Sequence, residues 1–146
     1  MSVCIFFGHS ESYGADEKNL AHTIEGLIQN GADTFYVGHQ GVFDSMVRES
    51  LVKLHSVYPH VSFAVVLAYP PSEKTKCAVP DGRSIYPEGL EMGPPRFAIE
   101  RRNKWMIEQG DVCVCYINHT WGGAYKFAKR AKNKGLAVIN LGSATI

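Results

Sequence analysis

Runs of apolar residues alternate along the chain with stretches whose apolar positions recur every three or four residues, the pattern of strand and helix units laid down in turn on a parallel sheet. Residues 3–7 (VCIFF) predict a first strand, and 19–29 predict a helix with Leu20, Ile24, Leu27 and Ile28 on one face and Gly31 just past its end. Residues 34–37 predict a second strand, and about 42–57 a helix that gathers Phe43, Met46, Val47, Leu51 and Leu54. A third strand at 61–67 is continuously apolar, as a strand covered on both faces should be. From 69 to 95 the periodicity stops; six of the seven prolines fall there, and the segment reads as a long ordered loop of the kind that covers a site. Order resumes with a helix at 96–109, a strand at 111–117, a helix at about 123–133 with Gly135 as its stop, and a strand at 137–141.

Right-handed crossovers make these five strands parallel. The simplest doubly wound order is 3-2-1-4-5 with helices on both faces, an α/β Rossmann-like fold in one domain over residues 1–146. That order sets side by side three strand ends that close alike: FFGHS, YVGHQG and INHTWGG, each with Gly or Asn, then His, then a polar residue. Ligands of such sheets bind outside the carboxyl ends at the switch point, here between strands 1 and 4. Glycine turns let backbone N–H groups approach a ligand, and helix starts favour anions. The candidate ligand contacts are Gly8, His9 and Ser10 from the first end, Gly38, His39, Gly41 and Asp44 from the second, and Thr120, Gly122 and Gly123 from the third. A tight turn needs glycine with or without a ligand, and Asp44 reads equally as a favourable charge at a helix start or as a carboxylate for a ribose, a His or an Arg. Neither a Walker A loop nor a full GxGxxG is present.

In the helix RFAIERRNKWMIEQ, Ile99, Asn103, Met106 and Ile107 share a face, which sets an amide where packing on the sheet is expected, flanked by Arg102 and Trp105. A buried amide needs a partner, from the backbone or from a ligand. Arg102 aimed at the same edge would bring the fork of donors that phosphate prefers. Tyr13, Tyr69, Tyr86 and Trp121 are candidate stacking partners for a base, or covers for the core. Strand-end side chains alternate in direction, so the three histidines are not expected to converge on a metal.

The formal charge is +1, with Lys and Arg evenly mixed among Asp and Glu, so the expectation is that nucleic acid is not a partner; the basic stretch KFAKRAKNK reads as a solvated helix face. Cysteines stand at 4, 77, 113 and 115 with no CxxC pair, and Cys113 and Cys115, alternate on one strand, point the same way and do not bridge. The apolar start is too short for a signal peptide or a membrane span. A cytoplasmic protein without a membrane segment is expected.

The segments FFGHS, FYVGHQGVFD, VVLAY, PPRFAIERRNKWM and WGGAYKFAKRAKNKG, in that order and spacing, closely resemble the YpsA-like bacterial and phage branch of the SLOG superfamily, from about residue 3 to 141. That superfamily joins the LOG phosphoribohydrolases with the Rossmann-like domain of the DNA-processing protein A family. The resemblance implies a domain that binds a nucleotide or an ADP-ribose-like ligand at the glycine-bearing edge, needs no cofactor and forms a homo-oligomer. Against the LOG enzymes, Arg102, Met106 and Asp111 keep their places and Gly122 and Gly123 match the double glycine of GGxGTxxE, but Tyr125 and Lys126 replace Gly-Thr and Lys129 replaces the glutamate. A lysine cannot stabilise the cation-like sugar formed when an N-glycosidic bond breaks. Binding or sensing of a nucleotide-like small molecule is therefore expected rather than catalysis. The alternative is a nucleotide or nucleoside-phosphate hydrolase or transferase with Asp44, His9 or Arg102 as its catalytic candidates. Partner or nucleic-acid binding stands third.

Overall fold

Side chains along a strand point alternately to opposite faces, and in β1 (Val3–Gly8) Cys4 and Phe6 enter one core while Val3, Ile5 and Phe7 enter another. A computed structural model describes residues 2–12, 14–72 and 83–146. The elements that follow β1 are α1 (Glu17–Gln29), β2 (Thr34–Val37), α2 (Gly41–Val57), β3 (Ser62–Val66) and β4 (Ser84–Ile85). A 3-10 turn, Pro95–Phe97, then runs into α3 (Ala98–Gln109), followed by β5 (Val112–Tyr116), α4 (Gly123–Lys134) and β6 (Ala137–Asn140). The strands pair in parallel in the order β4-β3-β2-β1-β5-β6. Helices α1 and α2 cover one face with Leu20, Ile24, Ile28, Phe43, Val47 and Leu51, and α3 and α4 cover the other with Met106, Ile107, Phe127, Ala128 and Ala131.

The expected order holds and the sheet gains an edge strand. Residues 84–85 lie in the stretch read as loop, yet the Val65 N–H donates to the Arg83 carbonyl (2.7 Å) and the Leu67 N–H to the Ile85 carbonyl (2.8 Å). Two residues carry no readable alternation, so pairing with β3 alone defines this strand. Residues 73–82 of the same stretch, with Cys77, and also Tyr13 lie outside the described residues.

Two helix details differ from the sequence expectation. Helix α1 begins two residues early because the Asp16 carboxylate caps it, accepting from the Lys18 N–H (2.9 Å) and the Asn19 N–H (3.4 Å). In α3 the buried set is Ala98, Arg102, Asn103, Met106 and Ile107, while Ile99 is 37% exposed. Its first turn projects past the sheet edge, so the residue expected on the buried face looks into the space above the strands. Cys113 and Cys115 are free and share the α3/α4 core and Cys4 lies in the other; burial pushes the Cys4 thiol up, and the hydrogen bond with Cys115 together with burial pushes the Cys113 thiol up, away from thiolate chemistry. Among the described residues no helix is long and apolar enough to cross a membrane.

Gly8 is where β1 passes beneath α2: a Cβ at this position would stand 2.6 Å from Phe43 Cβ, with the ring closer still. Phe43 is 1% exposed and has nowhere to move. The Gly8→Ala chain should lose about 1–3 kcal/mol in equilibrium urea unfolding, and Phe43→Leu in the same chain should recover part of it. Additive losses in the double variant would show that the two residues do not compete for one space.

Candidate functional site

Strands β2, β1 and β5 end side by side, and the chain direction of winding reverses between β1 and β5. A cavity of about 550 Å³ opens there. Its lining includes Gly8, His9 and Ser10 after β1, Gly38 after β2, Asp44 of α2, Arg102 and Asn103 of α3, and Gly122 and Gly123 at the start of α4. His39, Gly41 and Thr120 do not line it.

Arg102 is 3% exposed at the cavity floor. Its Nε donates to Asn103 Oδ1 (2.8 Å) and its Nη1 to the Val66 carbonyl at the end of β3 (3.1 Å), and its other N–H donors have no hydrogen-bond partner among the described residues. Asn103 Oδ1 thus accepts from the neighbouring side chain, a partner that its amide had not suggested, while Asn103 itself lines the cavity. Asp44 does not meet Arg102 in a direct ion pair. The two charges face each other across the space that a Gly38 side chain would fill, 2.7 Å from Arg102 Nη1 and 2.8 Å from Asp44 Oδ2. Glycine at 38 makes room for this pair, where the sequence suggested room for a ligand.

Asp44 also accepts from the Gln40 N–H (3.1 Å), closing the start of α2. Burial nevertheless pushes its carboxyl up to about 6, against the pull of Arg102, the Gln40 N–H and Arg48. Gly41 has φ +86° and a Cβ there would lie 2.7 Å from Ser10 Cα, so its glycine serves the contact in which the Val42 N–H donates to the Ser10 carbonyl (2.9 Å). His39 sits beside this cluster with Nε2 buried and unpaired, and burial together with Arg48 and Arg102 lowers its pKa and keeps it neutral.

At the other wall three rings stack. His9 lies on His119 (centroids 3.7 Å, 17°) and His119 on Trp121 (3.8 Å, 18°). The Asn118 N–H donates to His9 Nε2 (3.2 Å), which fixes the neutral tautomer with its proton on Nδ1, and burial and His119 lower the His9 pKa. Ring nitrogen lone pairs lie in the ring planes, so two face-to-face imidazoles do not converge on an ion. Among the described residues no three His, Cys, Asp or Glu side chains gather as metal ligands.

Helix α4 starts from Gly122 with no side-chain cap and no acidic residue in its first turn. Gly122, Gly123 and Ala124 all border the cavity, so this positive helix end is open to it. Lys126, from the same turn, pairs with Glu100 of α3 (3.1 Å), and both line the wall. Neither was a candidate contact in the sequence, where Lys126 stood only as a departure from the LOG motif; Glu100 and Lys104 show a four-residue spacing, but the Lys126 partner comes from another helix. Gln40, Ile99, Met106 and Phe127 join the lining in the same way, through tertiary placement alone. Lys129 is exposed and does not border the cavity.

No protein-family model matches the chain, and no curated protein matches its sequence. Solved structures do share its fold. DNA processing protein A from Helicobacter pylori, described with a single-stranded DNA binding mode, superposes with a TM-score of 0.65 at 14% identity, over 95% of this chain and 64% of that one. DNA processing protein A (DprA) from Streptococcus pneumoniae superposes with a TM-score of 0.69 at 15% identity, over 99% of this chain and 51% of that one. The chain therefore spans about half to two thirds of the length of these structures. At these identities the likeness shows the fold alone, the Rossmann-like arrangement expected from the sequence. It also overturns the expectation that nucleic acid is not a partner, since the Helicobacter pylori protein that shares the fold is described with a single-stranded DNA binding mode. A net charge sums over a whole surface, whereas binding uses the charge of one groove.

The Asp44 shift has a sign that can be measured. Its folded-state pKa lies above the ordinary carboxylate value of 3.8, so its contribution to stability is fully present below that pH and is lost as the pH rises through about 6. Relative to Asp44→Asn, the natural chain should become less stable by about 2 kcal/mol between pH 4 and 7. Urea unfolding across that range reads the difference; parallel pH profiles would contradict a buried, proton-holding carboxyl.

Proposed function

We propose that the cavity at the carboxyl edge of the sheet binds a phosphorylated nucleoside, either as a free nucleotide or nucleotide-derived molecule or as a unit of a strand. The observation that carries this reading is the pairing, in one cavity, of a buried Arg102 with uncommitted donors and the uncapped start of α4. Both favour an anion, the guanidinium by charge and fork geometry and the helix end by its free N–H groups. A cavity of about 550 Å³ suits a ligand of nucleotide size. At finer grain, the strand-end motifs point to the YpsA-like branch of the superfamily, and the reduced cysteines suit a cytoplasmic setting.

The second reading, single-stranded nucleic acid, is favoured by the DNA processing protein A fold. A strand offers the same phosphate and base in repeated form, so the same cavity serves either ligand.

Calorimetry and thermal shift against AMP, NAD, ADP-ribose and inorganic phosphate test the first reading. We expect binding in the natural chain and a loss of roughly tenfold to a hundredfold in affinity for Arg102→Gln, the worth of charged hydrogen bonds to phosphate. Circular dichroism on that variant separates lost binding from lost folding. No shift with any of the four at millimolar concentration would count against the reading. For the second, a gel shift with oligothymidylate should weaken as salt rises; absence of a shift at low salt would remove it.

A further inference from the structure

Trp121 is 67% exposed and belongs to neither hydrophobic core. Large aromatic side chains usually bury their area, and this one rests on a second surface ring instead of on the core. One indole face lies on His119, which lies in turn on His9, with the three rings nearly parallel. The stack is held from both strand ends: the Asn118 N–H after β5 holds His9 Nε2, and His119 Nδ1 lies 3.0 Å from the Trp121 carbonyl oxygen. The indole is therefore already ordered in a fixed orientation, and a planar ligand laid on its outer face has little conformational freedom left to remove.

Position supplies the second half of the argument. Trp121 directly precedes Gly122 and Gly123, where α4 opens uncapped, and all three residues line the cavity. A flat π-surface and an anion-favouring helix start thus stand next to each other on the chain. Within one nucleotide, a sugar separates a flat base from a phosphate in the same manner. A bare phosphate would use the helix start but not the indole face, and an apolar peptide the indole face but not the helix start.

We infer that the outer face of Trp121 is the stacking platform for a nucleobase, so that the cavity takes a phosphorylated nucleoside with its base on the His9–His119–Trp121 stack and its phosphate at the start of α4. This rests on the reading of the cavity as a nucleotide site and narrows it to ligands that carry an aromatic base. Stacking is tolerant of base identity, because every base has a π-face. The shared chemistry belongs to free nucleotides and to single strands alike.

The test uses the full chain with Trp105→Phe, which leaves Trp121 as the sole tryptophan. AMP, ribose 5-phosphate, inorganic phosphate and oligothymidylate are titrated, with fluorescence and calorimetry as readouts. AMP should quench the Trp121 emission and bind on the order of tenfold more tightly than ribose 5-phosphate. Trp121→Ala should remove that advantage and leave ribose 5-phosphate binding unchanged, whereas Trp121→Phe should keep most of it. Because Trp121 stands on a surface turn outside both cores, the alanine variant should keep the far-ultraviolet circular dichroism of the natural chain. Quenching and a Trp121-dependent advantage with oligothymidylate but not with AMP would assign the base to a strand. If AMP and ribose 5-phosphate bind equally well, and Trp121→Ala alters neither, and oligothymidylate binding is equally indifferent to it, the platform is refuted while the phosphate site stands. If none of the four ligands binds, both readings fall together.

Discussion

A guanidinium taken out of water has to be answered by its surroundings, and the carboxyl edge of this sheet is organised around Arg102. Its hydrogen bonds to the Val66 carbonyl and to Asn103 tie α3 to the end of β3. Its attraction to Asp44 ties α3 to the first turn of α2. The turn after β2 carries glycine at 38 because Arg102 Nη1 and Asp44 Oδ2 occupy the place of a side chain. Three elements thus converge on one cation. Removing a single partner from such a set leaves a charge buried without compensation, which costs more than the set contributes when whole.

Two helices begin at the same edge and treat their positive ends differently. At α2 the chain supplies its own carboxylate, for Asp44 accepts from the Gln40 N–H and burial then holds that carboxyl near neutrality. At α4 the chain supplies none, and Gly122 leaves the first N–H groups without a side-chain cap. One end carries a carboxylate in its first turn, and the other carries none and borders the cavity. The positive helix end that faces the cavity is therefore that of α4, bordering the same cavity as the ring stack and Arg102. The Lys126–Glu100 pair braces the wall between α3 and α4 without neutralising the helix end, because each charge already answers the other.

The chain spans half to two thirds of the length of its fold neighbours and holds a six-stranded sheet with helices on both faces. What differs between ligands on such an edge is the set of side chains set on it. Here these are a buried arginine, a carboxyl that titrates near neutrality and a braced indole, with Lys129 exposed and outside the cavity.

The strands, the helices, the parallel order and the shared edge were legible from periodicity, because an apolar repeat records which way each residue of a local element must face. The positions of Gly8, Gly38, Asp44 and Gly122 at that edge followed from the order, whereas the aim of Arg102 at it did not. Local pattern could not tell why those glycines are glycines: Gly8 yields to Phe43 and Gly38 to Arg102 and Asp44, contacts between segments far apart in the chain. It placed Ile99 on the buried face, since periodicity does not record where the sheet ends. It passed over β4, two residues defined only by pairing with β3. The histidines of FFGHS and INHTWGG were visible as a repeated ending, but that His9 and His119 lie face to face, 3.7 Å apart, depends on the register of β1 against β5. The sequence by itself determined the elements, their order and the edge where chemistry can gather; the tertiary structure alone decided which side chains meet there, because the contact of two distant residues is set by crossovers and register and leaves no periodic trace in either segment.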